Sequence, residues 1–102
     1  MSLLDAARDG DLEALRDRIE RGDDVDGRNG WGFTPLMWAC HYGHVACARA
    51  LINAGAAVDM VNNDGWTALM QACWNDHLEC AEALIGVGAA VDVVSNNGWT
   101  AL

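Results

Sequence analysis

The stretch Gly32-Phe33-Thr34-Pro35-Leu36-Met37 decides the fold, because it returns at an interval of 33 residues. Its copies are Gly65-Trp66-Thr67-Ala68-Leu69-Met70 and, for the first five positions, Gly98-Trp99-Thr100-Ala101-Leu102. The two units 29–61 and 62–94 are identical at 19 of 33 positions. A constant period of this length is typical of repeat proteins, in which each unit buries its apolar face against its neighbours.

The residues within each unit predict two helices joined by a turn. Thr34 and Thr67 stand before apolar segments as hydroxyl N-caps, and Pro35 is tolerated in a first helical turn. Gly55 and Gly88 follow the second helices as C-terminal stops. The predicted helices span residues 36–42, 45–54, 69–75 and 78–87. Asn/Asp/Gly-rich segments at 62–65 and 95–98 suit the turns between units.

This sequence resembles the ankyrin-repeat family over its whole length. The resemblance is carried by Gly-x-Thr-Pro-Leu at 32–36, Gly-His at 43–44 and Gly-Ala-x-Val-Asp at 55–59, each with its copies. It implies an all-α solenoid of stacked helix–turn–helix repeats joined by β-hairpin-like turns. It also implies protein binding on a concave surface made of turns and first helices. The sequence departs from the family at Met37 and Met70, where histidine is usual, and at Asp76, where a loop glycine is expected.

The repeat pattern divides the chain into four segments. We expect an N-terminal capping repeat at 1–28, complete repeats at 29–61 and 62–94, and the start of a truncated fourth repeat at 95–102. The first segment carries nine acids and five arginines, which we interpret as the solvated face of a cap. No polar cap follows the third helix pair, so we expect a fragment that exposes apolar surface there and associates with itself through that end.

Composition excludes several classes of function. The net charge is −9 and lysine is absent, so nucleic acid and anionic membranes are not expected partners. No apolar run approaches the roughly 18 residues of a membrane span, and the N-terminus does not read as a secretory signal. The expected location is therefore the cytoplasm or nucleus, with reduced cysteines. No common catalytic or nucleotide-binding motif occurs, so we expect neither an enzyme nor a cofactor.

A repeated Cys/His set is the main chemical alternative to a pure binding module. It occurs as Cys40/His44/Cys47 and again as Cys73/His77/Cys80, and such groups suit zinc binding or a reactive thiol. Packing explains the same recurrence, since free cysteine serves as a small buried residue. We therefore favour a structural role. Asp26, Asp59 and Asp92 are expected to bond backbone N–H groups of their own loops.

All seven Phe, Trp and Tyr residues fall on turns or first helices, and none on a second helix. The candidate partner-binding residues are Trp31, Phe33, Trp38, His41, Tyr42, Trp66, Trp74 and Trp99. Large aromatic side chains dominate the energetics of binding sites. The second and third repeats also carry six acids against Arg49 alone, which favours a protein or peptide partner with apolar and basic residues.

Two further interpretations bear on the aromatic face. Segment 32–39 is similar to ankyrin domains that bind extended peptides, and to those that read methyl-lysine with tryptophan cages. Only Phe33 and Trp38 match such a cage, whereas His41 replaces an acid and Gln71 a tryptophan. These departures argue against methyl-lysine recognition. The remaining alternative is an isolated or engineered scaffold segment without a partner of its own.

Overall fold

The computed structural model describes residues 1–101 and contains six helices and no strand within them. The helices are α1 Leu3–Asp9, α2 Leu12–Glu20, α3 Pro35–Tyr42, α4 Val45–Asn53, α5 Ala68–Trp74 and α6 Leu78–Gly86. The four helices predicted from residue pattern agree with α3 to α6 to within one residue at each end. The predicted all-α solenoid is confirmed. Leu102, the last residue of the third motif copy, lies outside the described residues.

The N-caps of the first helices form as the threonines predict. The Oγ1 atom of Thr34 accepts a hydrogen bond from the Met37 amide at 3.2 Å, and Thr67 accepts one from Met70 at the same distance. Each bond satisfies an amide that has no partner within its helix. Both threonines are buried, so the caps also hold the turn against the core.

The three helix pairs stack in chain order. The first helices α1, α3 and α5 contact one another in sequence, as do the second helices α2, α4 and α6. Ala6, Ala39 and Ala72 occupy equivalent positions in the first helices, and none of them is exposed. Small side chains at these positions let adjacent helices approach closely. The core is therefore a continuous stripe along the stack.

Histidines join successive repeats. The Nε2–H group of His44 donates to the carbonyl oxygen of Arg8 in the preceding repeat at 3.0 Å. Its ring lies over Gly10, with Nδ1 2.6 Å from the position that a Cβ atom would occupy. His77 lies over Gly43 in the same way. The Gly-His motif therefore forms a contact between repeats. The histidine ring of one repeat fits above the glycine of the preceding repeat because glycine has no side chain there.

Aspartates make a second connection between repeats. The Asp26 carboxylate accepts a hydrogen bond from the Ala57 amide at 2.9 Å, and Asp59 accepts one from Ala90 at 2.8 Å. The expectation that these aspartates bond within their own loops is therefore wrong for both residues. Stacked loops lie side by side, so the amide that each carboxylate meets belongs to the next repeat, 31 positions along the chain.

Candidate functional site

The turns between helix pairs hold one aromatic residue in each repeat at the same place. The Asn29 side-chain oxygen accepts from the amides of Trp31 and Phe33, at 2.9 and 3.0 Å. Asn62 and Ser95 make the equivalent bonds to the amides of Trp66 and Trp99, each at 3.0 Å. The backbone leading into these aromatic residues is therefore fixed by short local hydrogen bonds.

Asparagines also tie successive turns together. The Asn63 amide donates to the carbonyl of Trp31 at 3.0 Å, and its side chain donates to the carbonyl of Gly30. The Asn96 amide donates to the carbonyl of Asp64 at 2.9 Å, and its side chain donates to that of Asn63. The turns thus form a connected row, which sets the spacing of the aromatic residues that they carry.

The first aromatic cluster consists of Phe33, Trp38, His41 and Tyr42. Trp38 lies between Phe33 and Tyr42, with ring centroids 4.5 and 5.8 Å apart respectively, and both pairs are stacked. The His41 ring packs edge-on against all three. Trp38 is half-buried in this packing, whereas Tyr42 is 48 % exposed. The cluster is a compact apolar ridge with an exposed phenol at one side.

The second aromatic cluster consists of Trp66, Trp74 and Trp99. The Trp74 ring meets Trp66 and Trp99 edge to face, with centroids 5.7 and 5.1 Å apart. Trp74 is 61 % exposed and Trp99 is 49 % exposed. Beside these rings lies an open notch of about 350 Å³, which also has Met70, Cys73 and Ala101 in its wall. The three tryptophans of the second cluster therefore line an open notch.

A polar bridge separates the two clusters. The Nδ1 atom of His41 lies 2.7 Å from Oε1 of Gln71, and the Asn75 side chain donates to the Gln71 carbonyl at 2.8 Å. Gln71 is buried and occupies, in its repeat, the position that Trp38 has in the repeat before. An amide therefore stands where the preceding repeat has the indole that stacks on Phe33 and Tyr42.

The structure assigns a place to each aromatic residue predicted from the sequence. Seven of the eight candidate residues belong to the two clusters, and the ring contacts of the described residues run within each cluster except for that between Tyr42 and His44. Trp31 stands on the turn outside them and is the most exposed, at 70 %. Sequence reasoning did not predict the bridging roles of Gln71 and Asn75. The only signal was that a polar pair replaces Trp38 and Tyr42 in the next repeat.

The repeated Cys/His set does not assemble into a cluster of donors. Within residues 1–101, no three His, Cys, Asp or Glu side chains lie close enough to hold a metal ion. The Cys40 thiol instead interacts with Cys80 of the following repeat, and this hydrogen bond, together with burial, raises the pKa of Cys40. Cys40, Cys47 and Cys80 are buried as core residues. The imidazole of His44 is used by the bond to Arg8.

The fold and these surfaces define a helical repeat solenoid, in whose described part no group of three His, Cys, Asp or Glu side chains could hold a metal ion. A family model of ankyrin repeats in three copies matches residues 3–97. The chain belongs to the ankyrin-repeat family, whose members generally act as protein–protein interaction modules. Of the helices that the structure describes, none has the length and apolar character to cross a bilayer.

Proposed function

We propose that this chain is a non-catalytic module that binds an extended peptide segment of a partner protein across its two aromatic clusters. The proposal rests on the arrangement of the two aromatic clusters. Both are held by the stacked turns and first helices, and the His41–Gln71 hydrogen bond lies between them. Residues held in place before binding lose little conformational entropy when a partner arrives. Exposed tryptophan and tyrosine side chains then supply most of the binding energy.

The charge of the surface selects a partner with basic residues. Beyond residue 28 the acids Asp59, Asp64, Asp76, Glu79, Glu82 and Asp92 are all exposed, and Arg49 is the only arginine. The notch beside Trp66, Trp74 and Trp99 is the place we assign to a basic side chain, because tryptophan faces attract cations. The first cluster has its rings packed on one another, so it suits an aliphatic or aromatic side chain.

The alternatives are less well supported. Metal binding would need donors that the described residues do not bring together. Cys40 has a raised pKa and is fully buried, and Cys80, whose pKa the hydrogen bond with Cys40 lowers, is buried as well. A lowered thiol pKa and exposure favour reactivity, so a reactive-thiol function is not supported. The four cysteines are free, which fits the reducing compartment that we propose for the protein. The third alternative, a scaffold segment without a partner of its own, is tested by the library selection described next.

The experiment is selection from a displayed library of random peptides on the immobilised protein. Bound phage are compared with those retained by the double variant Trp66→Ala/Trp74→Ala, whose helical content is checked by circular dichroism. We expect the unaltered protein to enrich sequences that combine apolar residues with Arg or Lys, and the variant not to enrich them. Equal recovery on both proteins would contradict the proposed surface, and no enrichment on either would support a scaffold without a partner.

A further inference from the structure

Two polar atoms of the first aromatic cluster have no hydrogen-bond partner among the described residues. They are the indole Nε1 of Trp38 and the imidazole Nε2 of His41, and both side chains are half-buried. Every buried side-chain nitrogen or oxygen atom in the described part of the chain does have a partner. The two nitrogens are therefore open to solvent. Both lie on α3, which packs between α1 and α5, so other repeats already flank them on either side.

Gln71 decides which kind of partner His41 can take. The Nδ1 atom of His41 lies 2.7 Å from Oε1 of Gln71. An amide oxygen only accepts, so Nδ1 carries the hydrogen of this bond, and Nε2 of the neutral imidazole is then an acceptor. The other contact of Nδ1, with the Asn75 side chain, is longer at 3.4 Å. The His41–Gln71 bond therefore leaves a hydrogen-bond acceptor open to solvent.

This role accounts for a buried amide side chain in the third repeat. Gln71 is only 5 % exposed and takes the place that Trp38 has in the second repeat. Its main-chain amide donates to the carbonyl of Thr67 at 3.2 Å, and its main-chain carbonyl accepts from the Asn75 side chain at 2.8 Å. The hydrogen bond made by one imidazole nitrogen sets the tautomer of the ring. Gln71 is thus a positioning residue that acts through His41.

Trp38 and His41 together suit one residue of an extended peptide. Their ring centroids are 6.0 Å apart, and the two rings meet edge-on. In an extended chain, the N–H and C=O groups of one residue point to the same side, as in a hydrogen-bonded pair of strands. The indole N–H of Trp38 is a donor for such a carbonyl, and Nε2 of His41 is an acceptor for such an N–H.

A peptide bound on this cluster needs these two bonds. If it lies on the stacked rings of Phe33, Trp38 and Tyr42, it excludes water from the two open nitrogens. A polar group that loses water without gaining a partner weakens binding. Main-chain N–H and C=O groups are present at almost every position of a peptide, whereas a suitable side chain is present only at some. The peptide main chain is therefore the partner that we assign to both nitrogens.

We propose that Nε2 of His41 accepts a main-chain N–H of the bound peptide, and that the indole of Trp38 donates to the carbonyl of the same peptide residue. The inference rests on the proposed function and adds the register of the peptide on the first cluster. Recognition at this position depends on the backbone and not on the side chain. Proline has no N–H, so it should be absent from this one position in peptides selected from a library.

The tautomer of His41 is tested first, in the free protein. Heteronuclear NMR spectra of the isotopically labelled chain at pH 8 should show the ring hydrogen on Nδ1. Gln71→Leu, which removes the acceptor, should weaken this preference. The opposite tautomer in the unaltered protein would overturn the inference, and an unchanged preference in the variant would overturn the role of Gln71. Neither measurement needs a peptide.

The second test replaces single main-chain N–H groups of a library-selected peptide by ester oxygens. At one position, the ester should weaken binding to the unaltered protein at least fivefold and binding to His41→Asn less than twofold. The asparagine side chain keeps a donor for Gln71 but has no atom in the place of Nε2, and circular dichroism checks that the variant folds. Trp74→Ala is the control: it should weaken binding of every peptide and keep the fivefold ester effect, because the two sites do not share a contact.

The outcomes separate this inference from the proposed function. Ester effects of equal size in the unaltered and His41→Asn proteins at every position, with Trp74→Ala still weakening binding, would overturn only the inference. A loss in His41→Asn that follows one peptide side chain instead of a main-chain N–H would also overturn it. If the unaltered protein selects no peptide, the proposed function fails, and the inference fails with it.

Discussion

The imidazole ring of His77 occupies the space above Gly43, with Nδ1 2.5 Å from where a Cβ atom would lie. Gly43 also has a φ of 74°, a left-handed conformation that side chains rarely adopt. The same relationship joins His44 to Gly10. Two physical demands, a left-handed backbone and space for a ring, therefore meet in Gly43, the residue that ends the first helix of the repeat.

This relationship makes Gly43→Ala more damaging than a comparable change elsewhere. The variant must adopt a left-handed backbone, which costs roughly 1–2 kcal/mol, and must also displace the His77 ring. Gly55→Ala is the control, because Gly55 has a φ of 91° but nothing within 4 Å of its missing side chain. Urea unfolding should show a clearly larger decrease in the free energy of unfolding for Gly43→Ala than for Gly55→Ala. Equal losses would mean that the ring contact contributes nothing.

Asp76 gives the opposite prediction. It is the only residue other than glycine with a positive φ among residues 1–101. Asp76→Gly should raise the free energy of unfolding by about 0.5–1 kcal/mol, because it removes the strain of a left-handed side-chain-bearing residue. Asp76→Asn should change it little. A destabilised glycine variant would show that Asp76 makes a favourable contact that outweighs its strain.

The Arg18–Asp23 ion pair predicts a specific pH dependence. Both guanidinium–carboxylate distances are 2.8 Å, and hydrogen bonding to Arg18 lowers the pKa of Asp23. A carboxylate with a lowered pKa stabilises the folded state above its unfolded pKa of about 3.9. That stability disappears as the pH falls through the folded pKa. Arg18→Met should therefore lower the urea midpoint at pH 7, and its difference from the unaltered protein should shrink as the pH falls below about 3.9.

A matched pair of small ligands tests the preference for basic side chains. N-acetyl-arginine amide and N-acetyl-citrulline amide have nearly the same shape, but only the first is charged. In heteronuclear NMR spectra of the labelled protein, the arginine compound should shift the indole N–H signals of Trp66, Trp74 and Trp99 more strongly. Single tryptophan variants assign the signals. Equal shifts with both compounds would show that the tryptophans do not recognise the positive charge.

The sequence was sufficient for the fold because its signals are local and repeated. Thr34 and Thr67 mark helix starts, Gly43 marks a turn, and both roles depend on residues a few positions away. The bond from Asp59 to Ala90 was not predictable in this way, since its partner lies 31 residues along the chain. Only the stacking of loops brings the two groups together.

The candidate site was predictable in composition but not in arrangement. The position of the aromatic residues within the repeat placed them on turns and first helices. Their division into two clusters depends on Gln71, whose side chain turns to His41 of the preceding repeat. A single sequence does not show that contact, because tertiary packing decides whether the side chain at position 71 fills the space within its own cluster or bonds to His41.

The most direct measurement of the central claim is the affinity of a library-selected peptide for two single variants, determined by isothermal titration calorimetry. Trp74→Ala removes an exposed ring of the second cluster, and Val87→Ala removes an apolar side chain of similar exposure on the far end of α6. Trp74→Ala should weaken binding at least tenfold, as expected for a dominant contact, and Val87→Ala should weaken it less than twofold. Unchanged affinity in the Trp74→Ala protein would contradict the central claim.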